Sequence, residues 1–303
     1  MFNGSIVAVV TPMTASGEID ERAFLQLLEW HASSGTDGVV VLGTTGESPT
    51  VTASERRRLV ECAVSTLRGR LPVIVGTGTN ATAESIVRTT DAMKWGADAA
   101  LLVTPYYNKP TQEGLYQHYK AIADAVPLPQ ILYNVPTRTG CDLLPETVAR
   151  LASLPSIVGL KEATGNMERL AAVRALVGDQ LDLLSGDDGT ALSFMQGGGK
   201  GVISVVANVV PRVFADMCHA ALAGDWERAE SLDKPMRSLY KILFCEANPI
   251  PTKWALMKMG RLQGGIRLPL TPLSAGFHAA VLAALAEADG TQCVGTDESR
   301  VGL

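Results

Sequence analysis

Short runs of apolar, largely β-branched residues alternate along this chain with amphipathic helical stretches, eight times over. The runs are Ser5–Val10, Asp37–Leu42, Pro72–Val75, Asp98–Val103, Pro129–Tyr133, Ile157–Lys161, Leu181–Ser185 and Gly201–Val205. Between them apolar residues recur at helical spacing, as in Glu21–Ser33, Thr52–Leu67 and Thr82–Trp95. Asp20, Ser54 and Thr82 stand where N-caps are wanted, and Gly35, Gly69 and Gly96 where the helices should stop. Eight strand–helix units are the count that closes a parallel barrel, and 303 residues suit one such unit. A doubly wound open sheet begins with the same alternation, and the pattern alone leaves it open. A low aromatic share, 5% against 47% hydrophobic, fits parallel strands buried on both faces. Further helical stretches at Pro211–Ala223, Asp225–Glu246, Pro249–Met259 and Phe277–Ala286 exceed what a barrel needs. The expected organisation is therefore α/β: a (β/α)8 TIM barrel over residues 1–223, a C-terminal helical extension over 224–288, and a frayed polar tail over 289–303.

Charge and composition exclude several function classes. A net charge of −5 lacks the clustered Lys and Arg of a nucleic-acid footprint, and the run Arg56-Arg57-Arg58 reads as a solvated helix face. Five widely spaced cysteines, Cys62, Cys141, Cys218, Cys245 and Cys293, form no CxxC pair, so free thiols in a reducing compartment are expected. The apolar N-terminal run has no basic flank, and no stretch approaches the roughly 20 apolar residues of a membrane span. The expectation is a soluble, cytoplasmic protein. Gly76–Ala81 imitates a GxGxxA dinucleotide fingerprint, but it sits on the third unit and no acidic residue ends the next strand. Gly197–Gly201 lacks the spacing of a phosphate-binding loop and reads as a helix-to-strand turn. The four histidines, His31, His118, His219 and His278, share no ligand spacing. Neither a metal nor a cofactor is expected.

Polar and glycine-rich residues collect at the C-terminal ends of the strands. Gly43-Thr44-Thr45-Gly46-Glu47 follows the second, Thr104–Asn108 the fourth, Tyr133–Pro136 the fifth, Lys161-Glu162-Ala163 the sixth and Ser185–Asp188 the seventh. That is the end at which barrel enzymes carry their chemistry. Within Ile157–Lys161, period-2 alternation places Ile157, Gly159 and Lys161 on one face. An ammonium facing inward there has its pKa lowered by burial and presents a nucleophilic amine; one facing outward is a solvated strand end. Position alone does not choose between them. Tyr133 shares the inward parity of Ile131 on the neighbouring strand, and Thr44 and Tyr107 could complete a hydroxyl relay for proton transfer. Arg138, in the loop after Tyr133, stands where a substrate carboxylate could be held in bidentate fashion.

These residues resemble those of the dihydrodipicolinate synthase family, within the pyruvate-dependent class I aldolase and N-acetylneuraminate lyase superfamily. The matches run in order from Gly4–Val7 and Thr11-Pro12 through Gly43–Ser48, Val103–Pro110, Leu132–Gly140, Gly159–Gly165 and Ser185–Asp188. They continue to Asn248–Pro251 and Leu268–Leu270, with only the chain beyond about Leu285 outside. The resemblance implies a lyase in which Lys161 forms a Schiff base with pyruvate while Tyr133, Thr44 and Tyr107 relay protons. Tyr107 would reach across a subunit interface, implying a dimer and usually a dimer of dimers, a homotetramer. Thr45, Arg138, Gly186 and Ile203 would contact substrate. The partner aldehyde would be L-aspartate 4-semialdehyde, giving 4-hydroxy-tetrahydrodipicolinate on the route to diaminopimelate and lysine. Relatives acting on sialic acid or sugar acids share the Tyr and Lys but typically lack the Arg at 138. A catalytically silent sensing barrel would be expected to have lost Lys161 or Tyr133, and both are present. A feedback site for lysine in inhibited members corresponds to Ser48, Asn80, Glu84 and Tyr106. Ala53 and Arg56 stand where strongly inhibited members often carry His, so inhibition by lysine is expected to be weak or absent.

Overall fold

A computed structural model describes residues 1–289, the last of them by its backbone; Asp289 ends a helix, and the rest of the tail expected over 289–303, with Cys293, lies outside the described residues. Eight parallel strands pair in chain order and close into a barrel. They are β1 (Gly4–Ala8), β2 (Gly38–Val41), β3 (Val73–Gly76), β4 (Ala99–Val103), β5 (Gln130–Asn134), β6 (Ile157–Glu162), β7 (Asp182–Ser185) and β8 (Gly201–Ser204). Each expected strand is present within two residues, and closure decides against the open sheet. The seam joins Gly4 to Gly201. A Cβ on Gly201 would lie 2.3 Å from the Gly4 carbonyl oxygen, so the seam closes only with glycine there.

The strands are apolar on both faces because each face meets packing. Ile6, Ala8, Val40, Ile74, Leu101, Ile131, Tyr133, Leu184 and Ile203 fill the barrel interior. The opposite residues, such as Val7, Val39, Val41 and Val75, pack outward against helices. Helices over Glu21–Ser33, Ala53–Leu67, Thr82–Lys94, Gln112–Ala125, Pro145–Ala152, Met167–Val177, Ala191–Gln196 and Pro211–Leu222 follow the eight strands in turn. None of the helices is long and apolar enough to cross a membrane, among the described residues.

Two of the three expected caps move. Asp20 does cap its helix, accepting from the Ala23 amide. Thr52, not Ser54, caps the second in a reciprocal capping box with Glu55, because the box requires the Glu three residues on. Thr82 is the first helical residue, and Ala81 before it caps without a side-chain bond. Gly35, Gly69 and Gly96 all adopt positive φ just past their helices, as expected.

The two glycine-rich decoys have steric explanations. A Cβ on Gly76 would lie 2.1 Å from the Leu42 oxygen, and one on Gly78 would lie 2.4 Å from the Val103 nitrogen. These glycines let neighbouring strand ends approach closely. The Gly197–Gly201 run is the turn into β8, with the Lys200 ammonium on the Asp182 carboxylate at 2.9 Å.

Beyond the barrel, the stretch expected as one helix over Asp225–Glu246 is broken. It forms Trp226–Asp233, a tight turn at Lys234–Met236 and Arg237–Ile242. Pro235, which has no amide hydrogen to donate, accounts for the break. Helices Ile250–Lys258 and His278–Asp289 complete the extension. Ile250, Trp254, Leu256 and Val281 join the same hydrophobic cluster as Val7, Val39, Phe24, Val206 and Phe214, so the extension shares one core with the first and last units of the barrel.

Candidate active site

Lys161 ends up inside. It is 5% exposed, is paired in register with Tyr133 on one side and Leu184 on the other, and shares their inward face. The alternation used to place it does not hold over the whole strand. The pairing of β5 with β6 slips between Gln130 and Ile131, so that Ile131 faces Gly159. Ile157 therefore packs outside with Leu160, and Val158 packs against the interior cluster. Only Gly159 and Lys161 keep the expected parity. Gly159 is required by β7, since a Cβ there would sit 2.9 Å from the Asp182 carbonyl oxygen. The space beside the lysine comes instead from Gly186, where a Cβ would lie 2.9 Å from Lys161 Cε.

The electrostatics follow from enclosure. Burial lowers the Lys161 pKa from 10.5 to about 8; the Asp188 carboxylate pulls it back up, and the Arg138 guanidinium lowers it further. Burial outweighs the pull of Asp188. Asp188 is committed elsewhere, since Oδ2 accepts the Val205 and Val206 amides at 3.0 Å each. The Lys161 ammonium nitrogen lies 4.3 Å from the centroid of the Tyr133 ring. Burial raises the phenol pKa of Tyr133, while Arg138 and a hydrogen bond with the Thr44 hydroxyl oppose that rise. Amine, phenol and hydroxyl therefore lie beside one another at the mouth of the barrel.

A cavity of about 310 Å³ opens above the barrel core, lined by Lys161, Tyr133, Thr44, Thr45, Arg138 and Gly186 among others. Six of the eight expected catalytic and substrate contacts thus meet. Ile203 is packed in the interior with Ala8 and Tyr133, below the lining. Tyr107 does not line this cavity. It is 89% exposed at a φ of 76°, its amide donating to the Thr139 oxygen at 3.2 Å. Residues without an assigned role also reach the cavity: Asp187, Phe244 and Asn248, the last two from the extension. The motif around Asn248 was visible in the sequence, but its partner lies 203 residues away.

A second cavity of about 220 Å³ adjoins the first across Thr44 and Tyr133, and Ser48, Tyr106 and Arg88 line it. Glu84 is tied to Arg88 at 2.6 Å. The Asn80 carbonyl accepts from Asn108 at 2.8 Å. The expected solvated face of Arg56-Arg57-Arg58 is corrected here. Arg56 is only 7% exposed, and its guanidinium donates to the Ser48 carbonyl and hydroxyl at 2.5 and 2.8 Å. Burial, reinforced by Arg88, pushes its pKa down to about 10. Helical geometry explains the difference, because consecutive residues point in directions about 100° apart and one of three adjacent arginines faced the barrel.

Comparison with known proteins decides the family. The model of the dihydrodipicolinate synthetase family matches residues 1–288. The chain belongs to that family. It is 57% identical over 293 residues to the 4-hydroxy-tetrahydrodipicolinate synthase of Coxiella burnetii (strain RSA 493 / Nine Mile phase I), covering 97% of this chain and 100% of that one. The 4-hydroxy-tetrahydrodipicolinate synthase of Methylococcus capsulatus is 56% identical over 288 residues, covering 95% and 99%. Among solved structures, the chloride-inhibited dihydrodipicolinate synthase from Acinetobacter baumannii complexed with pyruvate superposes with a TM-score of 0.94 at 50% identity, covering 95% and 99%. The closed barrel with its C-terminal helices is thus the architecture of this dihydrodipicolinate synthetase family member and of its solved relative.

The lowered lysine pKa sets a pH dependence. Attack requires the neutral amine, whose share rises as pH rises through the pKa. Below pH about 8 the single-turnover rate of Schiff-base formation with pyruvate should climb close to tenfold per pH unit, then flatten. A rate still climbing to pH about 10 would show an amine with the solvated value.

Proposed function

We propose that this chain is a 4-hydroxy-tetrahydrodipicolinate synthase, condensing pyruvate with L-aspartate 4-semialdehyde through a Schiff base on Lys161. The single observation that carries this reading is a buried amine of lowered pKa over the Tyr133 ring, with the Thr44 hydroxyl on the phenol. The activity named for the relatives at 56–57% identity supports the same reading.

The chemistry runs as follows. Neutral Lys161 Nζ forms a bond to the ketone carbon, and the carbonyl oxygen takes a proton. Loss of that oxygen as water leaves the C=N bond, with Tyr133 and Thr44 as the carriers of the protons concerned. Removal of a methyl proton gives the enamine. Its terminal carbon bonds to the aldehyde carbon, whose oxygen is protonated. The amino group of the semialdehyde then attacks the imine carbon, closing the ring and releasing Lys161. Thr45 binds the pyruvate carboxylate, with Gly186 shaping that end of the pocket and Ile203 packed beneath it, and Arg138 binds the carboxylate of the aldehyde.

Tyr107 enters as a residue of the second subunit. A bulky side chain at positive φ costs on the order of 1–3 kcal/mol and persists where surroundings enforce it. An exposed Tyr107 held that way suits insertion into a partner's site, and a dimer, assembled into a homotetramer, follows from that reading. Cytoplasmic residence fits the free thiols of Cys62, Cys141, Cys218 and Cys245.

Substrate choice is tested by supplying pyruvate with either L-aspartate 4-semialdehyde or sugar aldehydes to the purified protein. Condensation with the semialdehyde alone is expected; turnover of sugar aldehydes at comparable kcat/KM would overturn the reading in favour of a sugar-acid lyase.

The second cavity is read as the counterpart of the lysine site, formed around Ser48, Asn80, Glu84 and Tyr106. Glu84, the carboxylate of that group, is already paired with Arg88, and the buried Arg56 guanidinium occupies Ser48, so neither is free for an incoming ammonium. Millimolar lysine should therefore change the condensation rate by less than about twofold, since binding would first have to displace these contacts. Strong inhibition in a lysine titration would contradict this.

A further inference from the structure

Thr45 and Asn248 are 203 residues apart, yet the Asn248 amide nitrogen donates to Thr45 Oγ1 at 2.9 Å. Both are buried, at 2% and 6% exposure, and both line the cavity that holds Lys161. The Thr252 hydroxyl donates to Asn248 Oδ1 at 3.5 Å, which agrees with the nitrogen being the end turned toward Thr45. A hydroxyl carries one proton and accepts at its lone pairs. With an acceptor site of Thr45 occupied by the amide, its own proton is left to donate, and the cavity is the open space before it.

The loop carrying Thr45 is fixed by the same segment of the extension. Leu42 and Glu47 flank it, both non-glycine residues at positive φ, 60° and 54°. Such a conformation persists only where neighbours enforce it. Glu47 meets the Lys253 ammonium at 2.5 Å, with side-chain exposures of 1% and 3%, and its other oxygen accepts the Arg267 amide at 3.1 Å. Lys253 lies five residues beyond Asn248, so one stretch of chain grips both ends of the Thr45–Glu47 turn.

We propose that Asn248 is a positioning residue: it turns the Thr45 hydroxyl proton into the cavity so that Thr45 donates to the carboxylate of the keto acid, while the Glu47–Lys253 pair holds the loop at that distance. This rests on the reading above that Thr45 binds the pyruvate carboxylate. The C-terminal extension thereby takes part in substrate recognition and is more than a packing or assembly element.

The test is a kinetic double-mutant cycle on the full-length protein, with pyruvate and L-aspartate 4-semialdehyde varied separately. Asn248→Ala should raise the pyruvate KM by about tenfold or more, the loss of a hydrogen bond to a charged group, and leave kcat and the aldehyde KM within about twofold. Asn248→Asp keeps the shape but accepts only, so it recaptures the Thr45 proton. It should raise the pyruvate KM at least as much, and it serves where the alanine variant does not fold. In a Thr45→Val background neither change should raise the pyruvate KM further. An equal rise in both backgrounds, no rise at all, or a loss confined to kcat would overturn the proposal. A Thr45→Val protein with unchanged pyruvate KM would instead overturn the carboxylate-binding reading of Thr45 on which it stands.

Discussion

An ammonium group enclosed by a parallel barrel must shed its charge or find a counter-charge, and the interior of this barrel supplies little of the second. The Asp188 carboxylate pulls the Lys161 pKa upward, but one of its oxygens is already held by two backbone amides. Desolvation wins, with the Arg138 guanidinium adding to it, and the pKa of the amine falls to about 8. The surrounding arrangement follows from accommodating that amine. Gly186 is a glycine because any larger residue would strike Cε, and the Tyr133 ring lies across the nitrogen. Thr44 engages the phenol from the second strand's loop, so amine, phenol and hydroxyl come from three different strand ends held by one sheet.

Rigidity at this site is imported from far along the chain. The Thr44–Thr45 turn carries two left-handed non-glycine residues at its ends, a conformation that does not sustain itself. A buried ion pair between Glu47 and Lys253 and the Asn248 contact on Thr45 hold it, and both partners belong to the C-terminal extension, which a barrel does not need for closure. Losing one member of such a pair would leave the other charge buried and unpaired, which costs about 3–5 kcal/mol. The extension and the active-site loop are therefore mechanically one unit.

Much of this was legible in the sequence, for physical reasons. Strands buried on both faces announce themselves as uninterrupted apolar runs, which is why all eight were placed within two residues. Polar residues gathered at one end of those strands marked the catalytic face, and Lys161, Tyr133, Thr44 and Arg138 do line one cavity. What escaped was nonlocal or depended on a single residue's phase. A register slip at the start of β6 put Ile157 outside, which strict alternation could not foresee. Arg56 reads like its exposed neighbours Arg57 and Arg58 until the helix is docked, and only then turns inward to Ser48. Glu55, three residues into a capping box, favoured Thr52 over Ser54, a choice the spacing alone contained. Pro235 likewise announced the break in the extension. Nothing local in the sequence, by contrast, pairs Asn248 with Thr45, because only the closed barrel brings them together.

The central claim is that the Lys161 amine attacks the keto acid. Incubating the protein with pyruvate, reducing with borohydride and mapping the modified peptide by mass spectrometry tests it directly. One reduced pyruvate adduct is expected, located on Lys161 and abolished by Lys161→Ala. An adduct on another lysine, or none at Lys161 while the condensation still proceeds, would contradict it.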